Sequence, residues 1–330
     1  MSYYNYDSVQ KNFFESFAKT IRQKKDIFVV RNRCNNQQIF DMINSFSYEY
    51  PEFFYVDFSK IEILSAFIEK KICINYKMNF NQIDVFKKSI DDNVNKIIEG
   101  LKIEDSDSNE VKYRKIHNYL IKSITYNRNA LNCPRSYPEA YSICGVFLNK
   151  TAVCEGISKS YKYLCDKLSI PCSIIVGKAL FVETGHNENH AWNVVHLNEK
   201  FYHIDVTWDM CNSGSCKYNR YDYYLVPDSW IEKDHCFTKS KECNSYHMTY
   251  FYRNKSFISS KEELKKYIQK TITKGNMVFF LKYNANYSQN LENEVYQMIK
   301  SEISAMKNVA FSMNMWTNKE QCVFFAKIHI

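Results

Sequence analysis

Apolar residues recur along this chain at two spacings, and the alternation between them divides it. At the three-to-four interval that lines one face of a helix they run from Gln37 to Phe46, from Asn81 to Leu101, through Ile157, Tyr161, Leu164, Cys165 and Leu168, and from Leu291 to Met306. Short runs rich in β-branched and aromatic residues read as strands: Asp26 to Val30, Pro51 to Val56, Lys71 to Tyr76, Met277 to Tyr283, Val309 to Met313 and Gln321 to Ile328. Ser260 with Glu263 forms a capping box for a helix ending near Gly275, so the last third reads as a small β-α-β-α-β-β unit beginning near Met248. The polar run Glu104 to Glu110 reads as a linker. Three segments are expected: an N-terminal α/β region (1–103), a central region (104–247) and a C-terminal small α/β domain (248–330).

The central region carries the chemistry. Asn149 to Gly156 leads directly into one of the periodic stretches, which puts Cys154 in the first turn of a helix. Unpaired N–H groups and the positive end of the helix dipole converge there, favouring thiolate and offering donors to an oxyanion. The other eleven cysteines read as small buried hydrophobes. From His190 the chain reads HAWNVVHL, then Asn198-Glu199, then KFYHIDVTW, a hairpin with a short polar turn. With a loop of two or four residues His190 faces Thr207 and Trp192 faces Asp205, so His190 and Asp205 are diagonal neighbours on one face; a three-residue loop would put Asp205 on the other. An aspartate accepting from one imidazole nitrogen leaves the other free for a thiol proton. The same pairing puts Trp192 on the face of His190 and Trp208 on the opposite one. Asp209 to Asn219 reads as a flexible loop placed to act as a lid.

Thr151-Ala-Val-Cys154-Glu-Gly156, His190-Ala-Trp-Asn193 and Phe201-Tyr-His-Ile-Asp205-Val-Thr-Trp208 resemble the three blocks of the transglutaminase-like superfamily. Ile116 to Asn127 resembles the helix and Tyr-containing turn that precede them in its bacterial members. The likeness covers roughly residues 110 to 245. It implies an α+β, papain-like core in which a cysteine on a helix N-terminus packs on an antiparallel sheet, with Cys154 as nucleophile, His190 as base and Asp205 as its orienter. Tyr126, carried by the upstream segment, and Trp192, walling the cleft, are the candidate substrate-binding residues. Ala152 departs from the glycine many relatives have there, and no residue matches a motif for a second oxyanion donor. The implied activity is thiol-dependent acyl transfer or hydrolysis at protein amide bonds. A cysteine protease or peptidase comes first, a transglutaminase or glutamine deamidase second, and a non-catalytic protein-binding module of the same fold third. No acidic cluster matches a calcium site.

Composition adds bounds. In 330 residues, 45% hydrophobic and 16% aromatic content suffices for real cores. No apolar stretch approaches a membrane span, and MSYYNYDSVQ has neither the basic start nor the apolar core of a secretion signal, so the expected location is cytoplasmic. Twelve irregularly spaced cysteines then read as reduced thiols. The net charge of +8 is spread along mixed polar faces, with no basic run interleaved with aromatics. A protein or peptide is therefore the expected partner, not nucleic acid or a membrane, and no cofactor is expected. Two possible metal sets do not fit standard patterns. His186 and His190 have helical zinc spacing, but they lack the adjoining glutamate and run into a strand, so His186 is expected in a mobile loop beside the site. Cys211, Cys216, His235, Cys236, Cys243 and His247 match no zinc-knuckle spacing.

Overall fold

The computed structural model describes residues 3–31, 34–65, 69–181, 185–213, 218–307 and 310–330. Its N-terminal part contains α1 (Ser8–Arg22), β1 (Ile27–Val30), α2 (Asn36–Glu49), β2 (Glu62–Ser65), β3 (Lys70–Cys73) and α3 (Phe80–Gly100). Each helix opens with a reciprocal capping box, Asp7 with Gln10, Asn35 with Gln38 and Asn79 with Gln82, which satisfies N–H groups the helix cannot. The expected strand Pro51 to Val56 is instead a 3₁₀ turn, Pro51–Phe53. Proline lacks the ladder donor, and Phe53, Phe54, Tyr55 and Val56 all enter the core, which an alternating strand would not allow.

The central part runs α4 (Asn109–Ser123), β4 (Thr125–Tyr126), α5 (Arg128–Asn132), α6 (Ile143–Phe147), β5 (Thr151–Ala152), α7 (Cys154–Lys167), β6 (Cys172–Phe181), β7 (His186–Leu197), β8 (Lys200–Ile204), α8 (Val206–Ser213), β9 (Tyr224–Val226), α9 (Asp228–Ile231) and β10 (His235–Cys236). Its antiparallel sheet has the order β10-β6-β7-β8-β9. One face is covered by α7, whose Ile157, Tyr161, Leu164 and Cys165 are fully buried. Each such large apolar side chain stabilises the fold by roughly 1.5–3 kcal/mol. This is an α+β fold. The apolar core is continuous from Phe13 and Phe17 of α1, through Ile90 and Val94 of α3, to Tyr161 of α7 and Val195 of β7, so it crosses the expected boundary at 103/104.

The C-terminal part adds α10 (Tyr250–Arg253), β11 (Phe257–Ile258), α11 (Lys261–Thr273), β12 (Val278–Tyr283), α12 (Gln289–Lys307), β13 (Ser312–Asn318) and β14 (Val323–His329). Its sheet has the order β11-β12-β14-β13, with β11 parallel to β12 and the other pairs antiparallel. One face packs on α11 and α12 in a core of its own. The other face, through Phe280, Val323 and Phe325, meets Tyr218, Tyr221 and Trp230 of the central part. No helix among the described residues is long and apolar enough to cross a membrane.

Candidate active site

Asn198 and Glu199 both have positive φ, +50° and +59°, and make the two-residue turn that matches strand twist. That turn sets Val194 opposite His203 and Leu197 opposite Lys200, the expected register. Pairing stops at Asn193–Ile204, however, so Asp205 has no partner across from Trp192, nor Thr207 across from His190. Asp205 ends the strand by capping the next helix: its Oδ1 accepts from the Trp208 N–H at 3.0 Å, and its carbonyl accepts from the Asp209 N–H. The expected loop from Asp209 therefore begins as part of α8. Asp209 is buried there against His117 Nε2 at 2.9 Å, and residues 214–217 lie outside the described ones.

Cys154 is the first residue of α7 and is 8% exposed. Two polar side chains fasten this end of the helix to β7 beside His190. Ser158 Oγ lies 2.8 Å from both the Cys154 and Ala191 carbonyls, and Asn193 Nδ2 donates to the Ser158 carbonyl at 3.0 Å. Gly156 faces the Ala140 carbonyl, which a Cβ would meet at 2.3 Å, so only glycine lets α7 seat against the turn before α6. His190 lies on the same side of the sheet as Trp192, and its Nε2 donates to Asp205 Oδ2 at 2.6 Å. Its other nitrogen, Nδ1, is left for Cys154, with which His190 also hydrogen-bonds. Burial pulls the imidazole pKa down, but the Asp205 carboxylate and the Cys154 sulfur outweigh it and raise it to about 10. Asp205 is likewise penalised by burial yet held well below the usual carboxylate range by His190 and His235.

Residues 99–206 match the sequence model of the Transglutaminase-like superfamily. The match covers about a third of the chain and includes Cys154, His190 and Asp205. Among solved structures, a transglutaminase is similar over 55% of this chain and 50% of its own, at 16% identity and a TM-score of 0.32. A protein from Cytophaga hutchinsonii described as a candidate cysteine protease is similar over 51% of this chain and 63% of its own, at 13% identity and a TM-score of 0.28. The chain thus spans half of the first and under two thirds of the second. No curated protein matches it.

Around Cys154 and His190, Trp192 and Trp208 lie differently from expectation. Trp192 is fully buried and does not wall an open cleft. Its ring stacks on His190 at 5.7 Å, and its Nε1–H donates to His203 Nδ1, so it supports the histidine from beneath. Trp208, expected on the far face, is carried round by α8 and packs 4.6 Å from His235 and 6.1 Å from His190. Tyr126 is half-buried on β4, which pairs in parallel with β5 just before Cys154, and packs against Ala130, Ala140 and Val153. Three groups stand in roles that the sequence did not indicate. Tyr48, from α2, lies close enough to Cys154 and Glu155 to feel their charge, after burial the main causes holding its hydroxyl above the usual range. Asn193 holds α7, as above. His235 is a second histidine on Asp205, with Nε2 at 3.0 Å from Oδ2.

His190, Asp205 and His235 offer ligand atoms within 4.8 Å of one another, as do His203, Asp228 and Cys243. In both groups histidine and carboxylate atoms already hydrogen-bond at 2.6–3.0 Å. His186 is not in a loop: it opens β7, is exposed, and pairs with Glu188 at 3.2 Å. The other metal-type set does not converge among its described members. His235 faces carboxylates, Cys236 is exposed, Cys243 is buried near Asp228, and His247 lies against Tyr246 and Tyr252, while Cys216 lies outside the described residues. The ten cysteines whose side chains are described are free.

Proposed function

We propose that the central segment, 104–247, performs thiol-dependent acyl transfer on protein or peptide amide bonds, with hydrolysis as the outcome. The observation that carries this reading is His190 held between Asp205 and the sulfur of Cys154 at the N-terminus of α7. His190, whose charged form the Asp205 carboxylate favours, is placed to take the proton of Cys154 and so release the sulfur as the nucleophile. The sulfur attacks the amide carbonyl carbon, and the developing oxyanion is received by the Cys154 backbone N–H at the helix start. As the C–N bond breaks, the proton on His190 passes to the departing amine, leaving a thioester on Cys154. His190, now neutral, removes a proton from water. The hydroxide displaces the sulfur, releasing a carboxylic acid and restoring the Cys154–His190 pair. Water is always available as the acceptor, whereas an amine acceptor demands a site from which water is excluded.

Sub-stoichiometric iodoacetamide labelling between about pH 6 and 8, mapped by mass spectrometry, tests the pair. Cys154 is expected to label ahead of the other thiols, and His190→Ala to lower that rate on the order of 10²-fold. Labelling no faster than the other cysteines would overturn the reading. Peptide substrates separate the outcomes: new termini indicate hydrolysis, whereas ammonia release without them moves the assignment to deamidation or transamidation.

A further inference from the structure

We propose that His235 is a positioning residue of this site, a second, charged histidine that shares Asp205 with His190 and sets the pH at which Cys154 becomes reactive. The inference rests on the reading of Cys154, His190 and Asp205 above.

The argument is one of donors and acceptors. His235 is buried, with Nε2 at 3.0 Å from Asp205 Oδ2 and Nδ1 at 2.6 Å from Asp234 Oδ1. Asp205 also accepts from His190 Nε2 and the Trp208 N–H. Asp234 also accepts, at Oδ2, from the Tyr223 hydroxyl at 2.6 Å and Gln321 Nε2 at 2.8 Å. Each carboxylate thus receives three hydrogen bonds, and an ionised carboxylate is an acceptor only. A neutral imidazole has one donor nitrogen and would leave one of the two contacts without a proton. Both ring nitrogens of His235 therefore donate, and the ring carries a positive charge. In agreement, burial lowers its pKa but the two aspartates more than reverse this.

The surroundings are closed. The ring is walled by Trp208 at 4.6 Å, Trp192 at 4.9 Å, His190 at 5.3 Å and Tyr223 at 5.6 Å. Among the described charged groups, His203 feels the charge of His235, Arg220 is paired with Asp222, and Lys282 feels the charges of Lys233 and Asp234. Gly177 makes the approach possible: a Cβ there would strike the Cys236 carbonyl at 2.4 Å and hold β10 away from β6.

The C-terminal part supplies the outer support. Gln321, in the turn between β13 and β14, also donates to the Trp230 carbonyl, and Lys282 Nζ donates to the Gln321 carbonyl. Asn318 donates to Asp222 and to the Tyr223 oxygen. The line Gln321–Asp234–His235–Asp205–His190–Cys154 therefore runs from the C-terminal hairpin to the sulfur. A positive charge at His235 favours a negative sulfur and stops Asp205 from binding the His190 proton too tightly to release.

The test is the pH profile of Cys154 alkylation by iodoacetamide in the full chain, wild type against His235→Gln. Loss of the buried charge is expected to move the onset of alkylation up by about one pH unit. A packing role alone would change the rate at every pH and leave the onset in place, which would overturn the proposal. An ordinary free-thiol profile for the wild type would overturn the reading of the site and this inference together. If the variant does not fold, nitrogen-15 spectra of histidine-labelled wild type decide the matter: both His235 ring nitrogens should be protonated at about pH 8, and a neutral tautomer overturns the proposal.

Discussion

Asp205→Asn tests the electrostatics of the site with almost no change in shape. The carboxylate is fully buried and accepts from His190, His235 and the Trp208 N–H. An asparagine has one acceptor oxygen, so either the two histidines or the Trp208 N–H must face an amide donor. The larger effect is on charge. The His190–Asp205 contact is 2.6 Å, which puts the two charge centres about 4 Å apart; at an effective dielectric of 20 that is about 4 kcal/mol, or roughly 3 pKa units. His190, raised to about 10, would then titrate near its ordinary range and would draw the Cys154 proton far less strongly. A free thiol is only about 1% ionised at pH 6.5, so alkylation of Cys154 at that pH should fall about 10²-fold and recover as pH rises past 8. The assay is the iodoacetamide rate from pH 5.5 to 9.5, with circular dichroism to show that the fold persists. A profile superimposable on wild type would refute the reasoning, because Asp205 would then hold His190 in place without affecting its proton.

Two further substitutions probe the supports. Gly156→Ala places a Cβ 2.3 Å from the Ala140 carbonyl oxygen, a backbone atom that cannot swing aside, so α7 must shift; we expect a loss of about 1–3 kcal/mol in urea denaturation together with slower Cys154 alkylation. Unchanged stability and rate would mean the helix does not seat there. Lys282→Met addresses pH dependence. Burial, then the charge of Lys233, depresses Lys282 to about 7 from its ordinary 10.5, so between those values the unfolded chain binds a proton that the folded chain does not, and stability rises with pH. The variant should lose that rise, measured as the change in urea midpoint from pH 7 to 9.5; equal slopes would show that Lys282 stays charged when folded.

Legibility in the sequence followed locality. The helices Asn36–Glu49, Phe80–Gly100 and Gln289–Lys307 show their apolar stripes within the chain, and the Asn198-Glu199 turn fixes its own register, because both signals act over a few residues. The helix Ser8–Arg22 carries a signal of the same local kind, Asp7 with Gln10 ahead of Phe13, Phe14, Phe17 and Ile21. The end of the strand at Ile204 was harder. Val206, Thr207 and Trp208 are strand formers by composition, and only the capping bond from Trp208 N–H to Asp205 turns them into a helix. That single turn explains why Trp208 arrives beside His190 when alternation along a strand would send it away.

The supports of the candidate site were hidden for a different reason. Cys154, His190 and Asp205 each sit in a short block with its own pattern, whereas Asp234-His235 lies in a polar stretch with no periodicity, 30 residues from Asp205. Its partner Gln321 lies a further 87 residues from Asp234, and Tyr48 comes from a helix more than a hundred residues before Cys154. Such contacts are set by the packing of whole elements, so a linear pattern cannot contain them. They bear on how the chain divides. The N-terminal part shares its apolar core with α7 and brings Tyr48 toward Cys154, while the C-terminal hairpin holds Asp234 through Gln321. A fragment cut at 104–247 would expose the first face and leave a buried carboxylate short of a donor, at a cost of about 1–3 kcal/mol for the lost hydrogen bond alone. Both flanking parts therefore make contacts that reach the candidate site, and tests of its chemistry call for the full chain.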